Sequence, residues 1–511
     1  MFTLFAGAAA PTEQELPVYQ QDLGWPTYHN DYAGQRYSPL AQINTANLDR
    51  LREVCRLQLA EGGSFQTNPI VVNGTMFLTT TLETFAVDPT NCQLRWKASH
   101  RPTGPLPWAS NRGVAYLNGR IYRGTPDGQF FALDSQSGKT VWMNQVADAA
   151  YGEFITAAPQ AWNGLVFVGV SGGDWGIRGR VLAFEADNGR EVWRFDLVPR
   201  KGETGAGTWK VPSTRRIGGG GTWSSYSIDI RAGEIFVPVG NPAQFMHPDA
   251  HPGDNLFTNS VVALDARTGK LKWWHQTATN DPWDYDVVAP PMLYQNRHIQ
   301  EVAAIAGKDG YLVGVDRDTG KVLYKTPTTT HYKEAARPTP QGAKACPGWT
   351  GGTQWNGPAY EPEEHLVIVG AVDWCTFYKR GPADFERGKV RFGGQAIPIT
   401  DPAPSGWITA VDAESGTLRW KVHAQAPVVA AITPTAGGLV FAGDVAGNFL
   451  AIESKTGQVL WSRKLRGALG GGIITYAVDA KQYVAMATGN VSRVTFGGTG
   501  SPTLVIWGLA P

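Results

Sequence analysis

The stretch Ala132-Leu-Asp-Ser-Gln-Ser-Gly-Lys-Thr-Val-Trp142 decides the fold, because it is one copy of a motif that recurs along the chain. An acidic residue is followed by a short turn, which contains glycine in most copies, and then by an aromatic residue eight positions after the acid. The acid–aromatic pairs are Asp88–Trp96, Asp134–Trp142, Glu185–Trp193, Asp265–Trp273, Asp316–Tyr324, Asp412–Trp420 and Glu453–Trp461. A motif that recurs seven times along one chain indicates a repeat architecture.

Each copy of the motif has the pattern of one β-sheet module. Apolar runs before the acid, such as 166–170 and 439–443, predict inner strands. The glycine supplies the positive φ of a tight turn, and the aromatic residue can wedge between neighbouring sheets. Most acids are 41 to 51 positions apart, which suits a four-stranded blade, while gaps of 80 and 96 positions indicate insertions. The repeat predicts an all-β protein, a β-propeller with repeats of the tryptophan-docking type.

An eighth blade can be closed from both ends of the chain. Residues 51–57 read as an outer strand, with Cys55 where the aromatic residue would fall, and 482–487 and 504–507 supply C-terminal strands. Pairing the two ends in one blade leaves no open sheet edge. We therefore expect residues 21–511 to form a single eight-bladed domain. Residues 1–20 are interpreted as an N-terminal extension, the remnant of a secretory signal.

Composition excludes several classes of protein. The 511 residues carry 45 Lys and Arg against 44 Asp and Glu, a net charge of +1, so there is no basic field for nucleic acid. With 17% charged and 42% hydrophobic residues, the chain is neither disordered nor a coiled coil. No apolar stretch approaches the roughly 18 residues of a membrane span.

The four cysteines, Cys55, Cys92, Cys346 and Cys375, form no CxxC or CxxCH motif. This argues against a zinc site and against a covalently attached c-type haem. Two disulfides in an oxidising compartment would suit four such cysteines.

Polar motifs stand between the repeats, in segments expected near the propeller axis. They are Asn111–Gly113 with Arg112, Ser171–Gly179 with Asp174, Val239–Pro242 with Asn241, Asn280–Asp286 with three aspartates, and Gly307–Gly310 with Lys308. Carboxylate and amide oxygens suit Ca²⁺, which takes six to eight oxygen ligands, and these motifs hold no histidine or thiol for a softer metal. A lysine and an arginine near the same axis would hold an anionic ligand.

These residues resemble the pyrroloquinoline quinone (PQQ)-dependent alcohol dehydrogenases, the soluble eight-bladed quinoproteins without a haem domain. The resemblance runs from Trp25–Pro39 to the C-terminal strands and is most specific in Pro252–Asp265 and Asp281–Asp286. It implies an enzyme that binds PQQ and Ca²⁺ or a lanthanide ion. It further implies oxidation of an alcohol to a carbonyl by metal-assisted hydride transfer to the quinone. Electrons would then pass to a separate acceptor, most simply a cytochrome c, and the expected location is periplasmic or secreted.

The resemblance also implies roles for individual residues. The implied metal ligands are Asp174, Asn241, Asp284 and Asp286, the last being a carboxylate that some members use for a lanthanide. Asp284 is the implied general base, and Lys308 the cation beside the reactive quinone oxygens. The implied cofactor-binding residues are Gln66, Arg112, Thr156, Ser171, Gly172, Gly173, Trp223, Lys308, Gln354 and Trp355, with Trp223 stacking on the flat quinone.

The chain departs from the family pattern in three places. The stretch Leu106–Ser110 lacks the two adjacent cysteines that cover the quinone in well-known members, and we expect Trp108 to cover that face instead. Asp174 stands where the family usually has glutamate, and Gln66 where it has glutamate near the first blade. The resemblance pairs Cys346 with Cys375, which leaves Cys55 and Cys92 for a second disulfide.

Two alternative functions follow from the same repeat. One is a non-catalytic, partner-binding propeller of the outer-membrane assembly type, which would need neither metal nor quinone and would leave the polar motifs unexplained. The other is an enzyme of this fold that acts on a sugar or a polymeric alcohol, with insertions at 197–222 and 325–357 shaping a wide cleft.

Overall fold

Eight four-stranded antiparallel sheets make up most of the protein. The structure, a computed structural model, describes residues 23–332, 337–492 and 494–510. The predicted N-terminal extension, residues 1–20, lies outside the described residues. Short 3-10 helices are Leu48–Arg50, Ala149–Tyr151, Gly173–Trp175, Ala206–Thr208 and Pro212–Ile217.

The first strand, β1 (Leu51–Gln58), belongs to the last blade, and blades 1 to 4 follow it in chain order. From the axis outward, blade 1 is β2 (Ile70–Val72), β3 (Thr75–Thr79), β4 (Glu83–Val87) and β5 (Leu94–Ser99). Blade 2 is β6 (Ala115–Leu117), β7 (Arg120–Gly124), β8 (Gln129–Asp134) and β9 (Thr140–Gln145). Blade 3 is β10 (Gln160–Trp162), β11 (Leu165–Gly169), β12 (Arg180–Glu185) and β13 (Glu191–Asp196). Blade 4 is β14 (Ser227–Asp229), β15 (Glu234–Pro238), β16 (Ser260–Asp265) and β17 (Leu271–Gln276).

Blades 5 to 8 complete the set, and blade 6 is interrupted by an additional sheet. Blade 5 is β18 (Met292–Gln295), β19 (Glu301–Ala306), β20 (Tyr311–Asp316) and β21 (Val322–Pro327). The additional sheet is β22 (Ala343–Ala345), β25 (Thr376–Arg380) and β26 (Gly394–Pro398), and blade 6 is β23 (Ala359–Glu361), β24 (Leu366–Asp373), β27 (Ser405–Asp412) and β28 (Leu418–Ala424). Blade 7 is β29 (Thr433–Thr435), β30 (Leu439–Gly443), β31 (Asn448–Glu453) and β32 (Val459–Lys464). Blade 8 is β33 (Leu469–Val478), β34 (Lys481–Thr488), β35 (Thr503–Leu509) and β1.

The blades form a closed ring, because one apolar cluster joins each blade to the next. The clusters unite blades 1–2, 2–3, 3–4, 4–5, 5–6, 6–7 and 7–8. A further cluster packs Tyr476 and Ile506 of blade 8 against Val71 and Leu78 of blade 1. Burial of these faces is the main stabilising contribution to the ring. The predicted eight-bladed all-β propeller is therefore confirmed.

Tryptophans of the repeat dock onto the turn of the following blade. The indole Nε1 of Trp193 donates to the carbonyl oxygen of Ala266 at 2.9 Å, and a Cβ on Gly269 would lie 2.7 Å from the indole ring. The same arrangement holds at three further junctions, for Trp96 with Gly138, Trp142 with Gly189 and Trp420 with Gly457. Glycine is required at these turns because it combines a positive φ with space for the ring.

The junction between blades 8 and 1 replaces this docking with a disulfide. Cys55 lies on β1, the outer strand of blade 8, and is bonded to Cys92. Cys92 occupies the glycine position of the blade 1 turn, with φ 62° and its N–H donating to Asp88 O at 3.1 Å, as Gly138 N donates to Asp134 O at 2.8 Å. The predicted closure by N- and C-terminal strands is confirmed, since β1 pairs antiparallel with β35.

The insertion in blade 6 is longer than the sequence indicated. Cys346 and Cys375 are bonded, as the resemblance implied, and this disulfide joins the ends of β22 and β25. The insertion was expected within 325–357, but it resumes after β24 and adds β25 and β26. Along these strands, more exposed residues alternate with less exposed ones, so neither strand forms an apolar run in the sequence.

Candidate functional site

The site residues lie at one end of the propeller because of the direction of the strands. In each blade the first strand starts, and the second strand ends, on the same face of the ring. Arg112, Trp223 and Asp284 precede first strands, while Asn241 and Lys308 follow second strands. The repeat thus brings residues from distant parts of the chain to one face.

A single cavity on this face is lined by every site residue predicted from the sequence. The predicted residues are Gln66, Arg112, Thr156, Ser171, Gly172, Gly173, Asp174, Trp223, Asn241, Asp284, Asp286, Lys308, Gln354 and Trp355, and all fourteen line it. Trp108, expected to cover the quinone, lines it as well. The structure therefore brings the whole predicted set together, whatever the role of each member.

Three carboxylates meet at one wall of the cavity. Lys308 Nζ lies 2.9 Å from Asp284 Oδ2 and 2.7 Å from Asp286 Oδ2. Asn241 donates from its backbone N to Asp286 Oδ1 at 2.5 Å and from its side chain to Asp174 Oδ1 at 3.0 Å. One lysine and one amide therefore connect three acids.

The neighbouring Asp281 holds the turn that presents Asp284. Its two oxygens accept the backbone N–H groups of Trp283 at 2.9 Å and Tyr285 at 2.6 Å. Asp284 itself sits at φ 67°, a conformation that aspartate tolerates better than most side chains. Of the three aspartates in this motif, Asp281 is thus structural, and its role was not apparent from the sequence.

The carboxylates carry shifted pKa values because they are buried together. Burial, with the Asp286 charge nearby, raises the pKa of Asp174 to about 6. Burial also raises the pKa of Asp284 well above its usual range, although Lys308 opposes this rise. Burial would lower the pKa of Lys308, but the charges of Asp284 and Asp286 outweigh it and raise that pKa. The cluster therefore sets three carboxylates against a single lysine.

Two aromatic rings and an arginine form another part of the wall. The Arg112 guanidinium lies 4.6 Å from the ring centroid of Trp223 and 5.1 Å from that of Trp355. Arg112 Nη1 also donates to the Trp223 carbonyl oxygen at 2.8 Å, and the hydroxyls of Thr156 and Ser171 lie 3.0 Å apart beside it. A flat anionic ligand would find an indole face and a fixed cation here.

Gly172 is required by the backbone path beside the cavity. It has φ 113°, and a Cβ at this position would lie 2.0 Å from the carbonyl oxygen of Gly152. The glycine allows the chain to turn directly into the 3-10 helix that carries Asp174. No side chain could replace it without moving the carboxylate.

Polar atoms without partners cluster in the cavity lining. Among the described lining residues, they are Gln66 Oε1, Arg112 Nε, Asp284 Oδ1, Trp349 Nε1 and Thr350 Oγ1. Buried polar atoms are rarely left unpaired in proteins, so the lining is complementary to a polar ligand. Trp349 and Thr350 were missed in the sequence, although they immediately precede the Gly-Gly-Thr-Gln-Trp stretch that contains Gln354.

The chain is similar to known proteins over most of its length. The family model for the β-propeller domain of glucose, ethanol and alcohol dehydrogenases that use PQQ matches residues 25–339. A lanthanide-dependent methanol dehydrogenase of Methylacidiphilum fumariolicum is 31% identical over 94% of this chain and 87% of the relative. The chain belongs to the PQQ-dependent alcohol dehydrogenase family. It is therefore a quinoprotein oxidoreductase that works with PQQ and a metal ion.

Other relatives of this quinoprotein agree. A quinohemoprotein alcohol dehydrogenase of Comamonas testosteroni is 31% identical over 91% of this chain and 72% of its own length. The structure of a europium-containing methanol dehydrogenase superposes with a TM-score of 0.86 at 28% identity, covering 95% of this chain and 98% of that one.

The alternative propeller class is also represented among the comparisons. A model of the outer membrane protein assembly factor BamB matches residues 404–500. The BamB structure from Moraxella catarrhalis gives a TM-score of 0.52 at 14% identity, which shows a shared fold alone. The carboxylate cluster lies outside the matched segment.

The quinoprotein's residues fit both groups that its family uses. In the part of the chain that the structure describes, no three His, Cys, Asp or Glu side chains are grouped as a metal site, and Lys308 bridges Asp284 and Asp286 instead. The donor set nevertheless consists of oxygens from three carboxylates and an amide, which suits a hard cation, and its excess negative charge favours one. The unpartnered polar atoms and the Trp223 face suit a polar, flat quinone.

The helices of the described residues are the short 3-10 helices given above. None of those helices has the length and apolar character needed to cross a bilayer.

Proposed function

We propose that this quinoprotein oxidises an alcohol to the corresponding carbonyl compound, with Asp284 as general base. The observation that carries the proposal is the unpartnered Oδ1 of Asp284, which is buried in the cavity while Oδ2 is held by Lys308. A base with one oxygen fixed and the other free is oriented to take a proton from a bound hydroxyl group.

The proposed metal ligands are Asp174, Asn241, Asp284 and Asp286, and either Ca²⁺ or a lanthanide ion suits this oxygen set. A cation at this cluster would offset the mutual repulsion of the acids and lower the pKa of Asp284, which keeps the base ionised near neutral pH.

The remaining residues bind and polarise the cofactor. When bound, PQQ supplies the acceptor for the carbinol hydride and the metal supplies a Lewis acid. Lys308, whose ammonium lies 5.7 Å from the Trp223 ring centroid, holds positive charge beside any ligand stacked on that indole. Arg112, Thr156, Ser171, Gln66 and Gln354 would hold its polar edge, and Trp223 and Trp355 its faces.

Electrons then leave to a separate acceptor, for which a cytochrome c is the simplest candidate. Two disulfides suit an oxidising compartment, so a periplasmic or secreted location is part of the proposal. Residues 21–511 are proposed to act as one catalytic domain, since the ring has no linker between blades.

The test is dye-linked oxidation of a panel of alcohols by purified protein loaded with PQQ and Ca²⁺, or with PQQ and La³⁺. Activity should require both the quinone and an ion. Asp284→Asn should lower kcat by about 10²–10⁴-fold, the usual contribution of a general base. Asp187→Asn is the matched control, because Asp187 is an exposed aspartate that does not line the cavity. Full activity of Asp284→Asn, or activity without quinone, would refute the proposal.

A further inference from the structure

Apart from Trp108, which is expected to cover the quinone, the cavity lining has a second set of side chains that the proposed chemistry does not use. Beyond the fourteen predicted residues, the described lining adds only two polar side chains other than tryptophan, Thr350 and Thr495. The apolar additions are Trp108, Phe154, Trp175, Trp349, Val390 and Phe392, together with Phe496. Because Val390 is 40% exposed, whereas Asp284 is 2% exposed, the apolar set extends from the reacting groups to the surface.

Two aromatic walls border this entrance. Trp175 lies edge-on to Trp108, with ring centroids 6.3 Å apart, and edge-on to Phe154 at 5.1 Å. A second pair of lining rings, Trp349 and Phe392, has centroids 5.7 Å apart. Each wall is therefore an apolar surface of aromatic rings packed at favourable edge-on or tilted angles.

The second wall is completed by the segment that joins β25 to β26, residues 381–393, which we call the strap. His247 Nε2 lies 2.9 Å from Gly381 O and 3.0 Å from Gly393 O, so one imidazole fastens both ends of the strap to blade 4. Arg391 N donates to Asp174 O at 3.0 Å, which fastens the strap beside the carboxylate cluster. Val390 and Phe392 are therefore held over the cavity.

From this geometry we propose that the alcohol oxidised here carries an aromatic or similarly broad apolar group on its carbinol carbon. The inference rests on the proposed function, since the walls matter only if the hydroxyl reaches Asp284. Burial of an apolar substituent between the walls is favourable. A sugar would instead need hydrogen-bond partners for each hydroxyl that it buries, and the entrance offers few.

The test compares kcat/KM of PQQ- and metal-loaded protein for benzyl alcohol, ethanol, methanol and glucose. Benzyl alcohol should exceed ethanol by about tenfold or more and exceed methanol and glucose by about a hundredfold, because each buried methylene changes kcat/KM by about 10- to 200-fold. Comparable values for benzyl alcohol and methanol or glucose would overturn the inference while leaving the proposed function intact. Oxidation of no alcohol at all would overturn both.

Binding without turnover gives a second readout. 2-Phenyl-2-propanol has no hydrogen on its carbinol carbon and cannot be oxidised to a ketone, so calorimetry can measure its binding to the loaded protein. It should bind at least about tenfold more tightly than 2-methyl-2-propanol, which lacks the ring. Equal affinities would overturn the inference independently of catalysis.

Variants in the strap identify the wall that confers the preference. Val390→Ser and Phe392→Leu should raise KM for benzyl alcohol about 3- to 10-fold, and should raise KM for ethanol by a smaller factor. Val459→Ser is the matched control, since Val459 is 41% exposed on an outer strand of blade 7. An equal effect of the control variant, or none in Val390→Ser and Phe392→Leu, would refute the role of the strap.

Discussion

The junctions between blades and the face that carries the cavity differ in how their polar groups are used. At four of the junctions, a docked tryptophan has its indole N–H bonded to the next blade and its ring against a glycine turn. In the cavity, buried polar atoms of Asp284 and Thr350 have no partner, and like charges lie together. The junctions therefore stabilise the fold, while the cavity lining is unfavourable in the absence of a ligand, which is the usual relation between stability and function.

Removing a docked tryptophan should have the largest effect on stability. We expect Trp193→Ala to lower the free energy of unfolding of the apoprotein by about 3–5 kcal/mol, because a buried indole is lost. Chemical denaturation measures this, and Trp274→Ala on β17, where the tryptophan is 38% exposed, should cost less. Activity per PQQ-loaded molecule should remain within about twofold. Equal losses for the two variants would remove the distinction between docked and undocked rings.

The closing junction should be weakened next most strongly. Cys55→Ala combined with Cys92→Ala is expected to lower the free energy of unfolding by about 2–4 kcal/mol, the usual contribution of a disulfide. Replacing the pair by Cys55→Trp and Cys92→Gly should recover part of this loss, since both residues occupy docking positions. If the double alanine variant and the wild-type protein have the same denaturation midpoint, the disulfide does not substitute for docking.

Two glycines with nearly the same backbone separate the cost of strain from the cost of lost docking. Gly269 has φ 70° and faces Trp193, whereas Gly320 has φ 69° and no atom within 4 Å of a would-be Cβ. Both alanine variants incur the strain of a left-handed residue, about 1–2 kcal/mol. Gly269→Ala should cost about 1–3 kcal/mol more, because it also displaces the ring. Thermal unfolding of the two single variants would show the difference, and identical midpoints would contradict it.

The smallest effect on stability is expected in the cavity. Thr350→Val removes an unpartnered hydroxyl, so the free energy of unfolding of the apoprotein should change by less than about 0.5 kcal/mol. Thr433→Val is the matched change at a satisfied hydroxyl, which donates to Ile473 O at 2.5 Å, and should cost about 1 kcal/mol. Retention of PQQ after gel filtration should fall for Thr350→Val alone. A larger stability loss in Thr350→Val than in Thr433→Val would reverse the comparison.

Most of the fold could be predicted because its signal is local and repeated. The spacing of acid, glycine and aromatic residue reflects a single turn, and Cys55 could be placed because it stands where an aromatic residue recurs. The strap could not be predicted, since β25 and β26 are short, partly exposed strands with no copy elsewhere in the chain. The repeated pattern predicts the geometry of the blades, but it carries no information about a segment that is inserted only once.

The cavity was predictable for a different reason. Its charged residues stand in the short segments next to apolar strands, and the resemblance to a family added roles to them. Trp349 and Thr350 were missed because their unpaired atoms become apparent only when the surrounding partners are known. The sequence did not distinguish the structural role of Asp281 from the role of Asp284. The hydrogen bonds from Trp283 and Tyr285 that identify this role depend on the fold of the turn.

The pairing of β1 with β35 also bears on the order in which the molecule assembles. Cys55 and Cys92 are 37 residues apart, so their bond needs only β1 and the first blade to have reached the oxidising compartment. Once formed, it anchors β1 beside blade 1 before the remaining blades have folded. The last strands then find an edge that is already fixed in space, rather than a free chain end whose capture becomes less favourable as the intervening length grows. Ring closure then requires only that β35 pair with β1, which is already in place.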